Sequence, residues 1–302
     1  MDDVAEADEA LLRGDTSNAA AAYAHFADRG DVVALQRAAV TAAGGLGRAQ
    51  SWPDAIEYTV RGAEAGDGAA RRVLALLARQ DGENWRALGS RIDMEAFFKP
   101  PLLTRLSSIS SIGACQGFIP APFCDWLVER ARDRLAPATV NDTVTGEQGP
   151  HPMRTATTCA FGPFDRDLIV CALQERAARL CQVPVAQHEA PNVISYLPGQ
   201  QFALHSDFVE PSVPGFADEL RIIGQRILTF VTYLNDDFEG APTHFPALKL
   251  DFRGGKGDAV VFSNVLPDGA PDRNTIHAGM PPTSGRKWVL SQWIRSKPMA
   301  VR

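Results

Sequence analysis

Residues 204–208 read Leu204-His205-Ser206-Asp207-Phe208. Side chains two apart on an extended strand share a face, so His205 and Asp207 would deliver an imidazole and a carboxylate in one direction, with Ser206 turned to the other. A pattern this short also arises by chance, and alone it describes a polar pair near a strand end. His277 lies 72 positions further on, in another strand-like run, Thr275-Ile276-His277-Ala278-Gly279-Met280. Two histidines and one carboxylate on one face of a metal form the set that holds non-haem Fe(II) while leaving positions open for a cosubstrate and dioxygen. Ten residues past His277 stands Lys287, flanked by Trp288 and Val289. A lysine there either carries its head outward along its apolar stem or meets an anion inside, and strand alternation turns the neighbouring cation, Arg286, the other way. The anion expected is a dicarboxylate cosubstrate. His25, His151, His188 and His244 keep no such company and read as structural or exposed residues.

Two kinds of periodicity surround these groups. Residues 1–90 are rich in alanine and apolar at helical spacing, as at Ala19, Ala22, Tyr23 and Phe26. Residues 19–40 align with 55–76 at a shift of 36, so that Gly30-Asp31 falls on Gly66-Asp67. A glycine that ends one helix and an aspartate that caps the next are what a tight turn between antiparallel helices requires. Paired helices repeating with a period in the thirties mark an α-solenoid, which either offers a concave binding face or caps a neighbouring domain. Residues 96–111, with Pro100-Pro101 and a serine cluster, read as a linker. Helices are expected at 121–135 and 165–182, and the polar, turn-rich stretch 137–152 between them is a candidate lid. After residue 190, short strand-like runs at 190–197, 226–235, 247–252, 258–264, 275–280 and 287–294 alternate with turn residues, the pattern of an antiparallel sandwich or barrel. The fold class expected is α+β, a helical repeat domain over 1–95 and, after the linker, a β-domain with flanking helices over 112–302.

Composition narrows the function. At 302 residues with 45% hydrophobic and 22% charged, the chain has material for about two domains with proper cores. Its 30 Lys+Arg against 36 Asp+Glu leave a net charge of −6, which predicts no nucleic-acid partner and no anionic membrane surface. No apolar run is long enough to span a bilayer, and the opening residues lack the basic and apolar regions of a secretory leader. Five dispersed cysteines without a C-x-x-C pair suggest reduced thiols, and the expected location is the cytoplasm.

Two resemblances follow from these residues. Residues 15–90 resemble Sel1-type tetratricopeptide-like repeats, which implies a surface for a protein partner. The ordered set 196–207, 226–235, 238–246, 256–264, 276–279 and 285–295 resembles the Fe(II)/2-oxoglutarate dioxygenases of the prolyl 4-hydroxylase group, and the likeness extends more weakly upstream to Arg154-Thr155. That resemblance implies a double-stranded β-helix, or jelly roll, with Fe(II) held by His205, Asp207 and His277. Lys287 would pair with the distal carboxylate of 2-oxoglutarate, Tyr196 would bond the same cosubstrate, and Thr243 and Tyr233 would be further contacts. Arg226 and Trp293 match substrate-facing positions; their plainer readings are an ion-pair partner for an acid such as Glu219 and a core aromatic. The implied reaction is hydroxylation of a prolyl or other amino-acid residue in a protein or peptide, with O2 consumed, succinate and CO2 formed, and ascorbate as a reductant. An aspartate at 207, rather than the small residue of halogenases in the broader superfamily, argues for hydroxylation. A free amino acid or small natural product is the alternative substrate, and a repeat scaffold carrying a silent jelly roll is the alternative of another class. The chain departs from the group at Gly240-Ala241-Pro242, where Gly-Gly is common, so the cavity entrance is expected to differ in shape.

Overall fold

The computed structural model describes residues 1, 3–141, 148–213 and 215–299. They divide into two compact units, one of residues 1–100 and 162–185, the other of 101–161 and 186–299. No helix among the described residues is long and apolar enough to cross a membrane.

The first unit is helical: α1 (Val4–Leu12), α2 (Thr16–Asp28), α3 (Val32–Gly44), α4 (Trp52–Glu64), α5 (Gly68–Ala78), α6 (Trp85–Gly89) and α7 (Met94–Phe98). The two Gly-Asp turns have the chemistry the sequence demands. Gly30 and Gly66 take φ of 86° and 97°, a region that favours glycine. Asp31 then accepts from the Ala34 N–H and Asp67 from the Ala69 N–H, capping α3 and α5. Alanine at the contact positions of α1, α2 and α3, including Ala7, Ala19, Ala34 and Ala38, lets these helices pack closely around buried Tyr23 and Leu35.

The helix expected at 165–182 is present at Leu168–Cys181, but the structure assigns it to this unit and so corrects the expected 112–302 domain. Its apolar face packs on α3, α5 and α7, Arg179 pairs with Glu95 and covers the Phe98 ring, and Arg176 donates to the Phe97 carbonyl. The linker expected at 96–111 is likewise partly structured, because α7 runs into it and a strand follows.

In the second unit α8 (Ala121–Arg132) follows the first two strands and α10 (Phe216–Ile223) lies between later ones, with Leu168–Cys181 being α9 in chain order. The strands are β1 (Leu103–Arg105), β2 (Ile112–Cys115), β3 (Ala136–Pro137), β4 (Thr139–Asn141), β5 (Gln148–Pro150), β6 (Thr157–Ala160), β7 (Asn192–Tyr196) and β8 (Phe202–His205). They continue as β9 (Arg226–Tyr233), β10 (Phe238–Gly240), β11 (Thr243–Phe245), β12 (Leu250–Phe252), β13 (Ala259–Ser263), β14 (His277–Gly279), β15 (Pro282–Gly285) and β16 (Lys287–Arg295). Eight make one sheet in the order β1-β2-β13-β9-β16-β7-β6-β3, and four make another in the order β12-β11-β14-β8. The pairings within both are antiparallel.

A shared core joins the two sheets. Ile194, Tyr196, Val231, Tyr233, Val260, Phe262 and Val289 from the large sheet meet Phe245 and, more openly, Phe202, Leu250 and Phe252 from the small one. Burial of such side chains contributes about 1.5–3 kcal/mol each and is what holds the sheets face to face. The candidate lid at 137–152 begins and ends in the β4–β5 pair, and its residues 142–147 lie outside the described residues.

Candidate active site

Strand register, rather than sequence spacing, brings the histidines together. In the small sheet His277 stands directly opposite His205, and their rings approach to 4.3 Å between centroids. The strand β8 ends at His205, so Asp207 is not on it, as the i, i+2 reading supposed, but in the bend that follows. Ser206 makes that bend by accepting the Phe208 N–H at its Oγ. The result still places one ligand atom from each of His205, Asp207 and His277 within 4.8 Å of the others. His205 Nε2 lies 3.7 Å from Asp207 Oδ1, and His277 Nε2 lies 3.9 Å from Asp207 Oδ2. These separations exceed hydrogen-bond length, so the three donors surround a point instead of satisfying one another.

The donor set fits a divalent metal. His205 Nδ1 faces the Ala203 carbonyl at 2.8 Å and His277 Nδ1 faces the Thr275 carbonyl at 3.1 Å. A carbonyl accepts only, so each Nδ1 carries the ring proton and each Nε2 presents a lone pair. Burial, and then the neighbouring His277, push the His205 pKa down to about 3, and burial also lowers His277, so both imidazoles are neutral. Burial pushes Asp207 upward, but the facing His277 and His205 rings, the Arg226 cation and a hydrogen bond from Thr229 outweigh it and hold the carboxyl below its usual range. Two neutral imidazoles and one ionised carboxylate are ready to bind without first losing protons. Packing fixes the first ring further, because Phe202 stacks on His205 at 3.5 Å and the Arg154 guanidinium lies 4.7 Å from the Phe202 ring centre.

These ligands line a cavity of about 410 Å³, counting its open mouth, together with Tyr196, Thr243, Gly279, Lys287, Trp293 and the apolar Ile194, Val231 and Val289. Lys287 begins β16 opposite Tyr196 of β7. The residue is 1% exposed, and its ammonium donates to the Ala241 carbonyl at 2.8 Å and lies 5.3 Å and 5.0 Å from the Tyr196 and Tyr233 ring centres. Burial alone pushes its pKa down to about 7, since no side-chain carboxylate among the described residues pairs with it. Tyr196 is also buried, and burial, partly offset by Arg154, raises its pKa to about 12. Gly279 makes room for this tyrosine: a Cβ there would stand 2.9 Å from its hydroxyl.

The remaining expected residues divide. Thr243 is in the cavity wall, yet its hydroxyl is 2.9 Å from the Tyr233 hydroxyl. Tyr233 is outside the lining; its hydroxyl donates to the Phe252 carbonyl and accepts the Thr243 N–H, so the protein itself engages it. Trp293 lines the cavity, and its indole N–H is buried without an acceptor among the described residues. Arg226 is not in the lining. It grips Glu189 through two contacts of 2.6 Å and 2.9 Å and lies over the Trp293 ring at 4.2 Å. The acid expected to pair with it, Glu219, pairs instead with Arg295, which also reaches Glu189. A bulge in β9, where Ile227 is left unpaired, sets Arg295 opposite Arg226, and two adjacent cations shielded from water require a carboxylate between them. Sequence reading missed Arg154, whose Nε and Nη2 are buried without an acceptor among the described residues, and it missed Thr229, Asn264 and Gly279. Only the upstream edge of the resemblance pointed to Arg154. Gly279 had a signal in its position two after His277.

The arrangement, an open set of two imidazoles and a carboxylate in a cavity with a buried ammonium that no carboxylate among the described residues pairs, defines a class of metal-dependent oxygenase. Residues 191–295 match the family model of the 2OG-Fe(II) oxygenase superfamily. Prolyl 4-hydroxylase 1 of Arabidopsis thaliana is 33% identical over 196 residues, covering 60% of this chain and 67% of that protein. Prolyl 4-hydroxylase subunit alpha-1 of Gallus gallus is 31% identical over 174 residues, covering 58% of this chain and 33% of that one. Among solved structures, the viral collagen prolyl hydroxylase of Paramecium Bursaria Chlorella virus-1 superposes with a TM-score of 0.47 at 23% identity, over 61% of this chain and 94% of that chain. The chain belongs to the 2OG-Fe(II) oxygenase superfamily and is a 2-oxoglutarate-dependent dioxygenase of the prolyl 4-hydroxylase-like kind. It spans about two thirds of the length of its Arabidopsis relatives.

Proposed function

We propose that this protein hydroxylates a prolyl residue of a protein or peptide, converting 2-oxoglutarate and O2 to succinate and CO2 as one oxygen atom enters the substrate. The observation that carries the reading is Lys287, a buried ammonium with no carboxylate partner among the described residues, in the same cavity as the two imidazoles and the carboxylate. In this reading His205, Asp207 and His277 hold Fe(II), which when bound supplies the activation of O2 that couples decarboxylation of the cosubstrate to C–H hydroxylation.

The chain's own residues do the rest. Lys287 takes the distal carboxylate of 2-oxoglutarate as a charge-assisted partner, Tyr196 bonds the same end, and Thr243 forms the adjoining wall. Ile194, Val231 and Val289 exclude water from the reacting centre. The Trp293 indole N–H and the Arg154 Nε and Nη2 groups are donors without an acceptor among the described residues, and the carbonyls of a peptide would supply them. Arg226 acts at one remove, holding the Trp293 ring between itself and the cavity. The two sheets form the double-stranded β-helix that the resemblance implies, and the helical unit, as Sel1/tetratricopeptide-like repeats, recruits the protein partner in the cytoplasm. Ascorbate serves as the reductant that restores Fe(II).

The test is to incubate the Fe(II)-loaded protein with 2-oxoglutarate and Pro-containing peptides, measuring succinate and a one-oxygen mass gain on proline. Succinate rising with the peptide and oxygen found on proline supports the reading. Oxygen found on free proline or another small molecule but never on a peptide rejects the substrate class.

A further inference from the structure

The two oxygens of Asp207 are held differently. Its Oδ2 accepts a hydrogen bond of 2.8 Å from Thr229 Oγ1, and Thr229 in turn accepts one of 3.0 Å from Asn264 Nδ2. Thr229, on β9, is fully buried and Asn264, just past β13, is 3% exposed, so water does not substitute for either bond. The direction of the relay follows from its ends. A carboxylate oxygen can only accept, and a hydroxyl has one proton, so Thr229 satisfies Asp207 only if Asn264 presents its amide nitrogen, as it does here. The reversed amide would set three acceptors around a single proton.

The same turn reaches a second ligand. The Asn264 N–H donates to the Ile227 carbonyl, and the Asn264 carbonyl accepts from the Asp272 N–H. Thr275 Oγ1 shares its one proton between the Asp272 and Ser263 carbonyls, at 2.9 Å and 3.0 Å, and the Thr275 carbonyl faces His277 Nδ1. Residues 263–275 therefore position both the carboxylate, through Thr229, and the second imidazole.

We propose that Thr229 and Asn264 are positioning residues that hold Asp207 Oδ2 on the protein and leave Oδ1 as the one oxygen offered to the metal. The carboxylate then takes a single coordination position, which keeps room for the cosubstrate and dioxygen. This rests on the reading of His205, Asp207 and His277 as a metal centre. Without the hydroxyl, Oδ2 is free to turn onto the metal and fill a position that the reaction needs.

The test uses the metal-free full chain titrated with Co(II), a spectroscopic substitute for Fe(II). Thr229→Val removes the hydroxyl at nearly constant shape and is expected to weaken Co(II) binding about 10- to 100-fold, the usual loss when a ligand's outer partner is removed. The ligand-field band per bound Co(II) should also lose intensity as the coordination number rises. Thr229→Ser, which keeps the hydroxyl, should restore both properties, a rescue that a purely packing role for the threonine methyl would not give. Asn264→Ala should shift the band in the same direction and stands in if Thr229→Val does not fold, as judged by its melting curve. An unchanged Co(II) spectrum and affinity in folded Thr229→Val or Asn264→Ala overturns the proposal while His277→Ala, losing the metal, upholds the metal centre. Wild-type protein that binds no Co(II) overturns both.

Discussion

Lys287→Met keeps the length and apolar stem of the side chain and removes its charge. In the folded protein Lys287 is 1% exposed, its ammonium donates to the Ala241 carbonyl, and burial lowers its pKa from 10.5 to about 7. A displacement of that size corresponds to about 5 kcal/mol by which the buried charge opposes folding. A lysine whose pKa is lower folded than unfolded opposes folding in full below about pH 7, and the opposition fades as pH rises toward 10.5, where both states are neutral. Lys287→Met should therefore raise the stability of the ligand-free protein, most below neutral pH and least under alkaline conditions. Binding should move the other way. The distal carboxylate of 2-oxoglutarate would enter a buried site without its cation, a loss of about 3–5 kcal/mol, or on the order of 10²- to 10⁴-fold in Kd. Denaturant unfolding at two pH values and anaerobic calorimetry with 2-oxoglutarate measure the two effects. A variant less stable than wild type, or one that binds 2-oxoglutarate within about tenfold of wild type, which is only about 1.4 kcal/mol, would refute the role given to the Lys287 charge.

Three further outcomes are expected. Because Lys287 must be protonated to meet a carboxylate, the Kd for 2-oxoglutarate should rise with pH above about 7, approaching tenfold per pH unit, and a flat profile by calorimetry would count against the pairing. Gly279→Ala places a Cβ 2.9 Å from the Tyr196 hydroxyl and 3.2 Å from its Cζ, so steady-state kinetics should show a raised KM for 2-oxoglutarate as the ring is displaced. Glu189→Gln strips the shared carboxylate from Arg226 and Arg295, the latter 2% exposed, and urea unfolding should show a loss of about 3–5 kcal/mol; a change near zero would mean the two cations find other partners.

Residue types and order made the site's inventory legible, because imidazole, carboxylate and ammonium are chemically distinct and an ordered series of short motifs is hard to produce by chance. Geometry was less legible. The spacing of His205 and Asp207 suggested one strand face, whereas the strand stops at His205 and a serine-made bend delivers the carboxylate. The approach of His277 depends on ladder register, a long-range property that no local pattern states. Arg226 carried a readable charge but not its partner: Glu189 and Glu219 are both acids in reach of sequence reasoning, and only the bulge beside Arg295 decides between them. The helix at Leu168–Cys181 was evident from its apolar periodicity, yet that face names no partner, and it joins the helical unit instead of the sheets. Thr229 and Asn264 were invisible because threonine in a strand and asparagine after one are ordinary residues until their hydrogen bonds are seen.

In the proposed function His205, Asp207 and His277 hold Fe(II) beside a 2-oxoglutarate whose far end rests on Lys287. Anaerobic addition of Fe(II) and then 2-oxoglutarate, followed by visible absorption, tests it most directly, since a 2-oxo acid chelated to Fe(II) gives a charge-transfer band. Wild-type protein should develop the band at one iron per chain, and His205→Ala, Asp207→Ala and His277→Ala should each abolish it. A band that survives all three substitutions, or its absence from folded wild-type protein, would contradict the account.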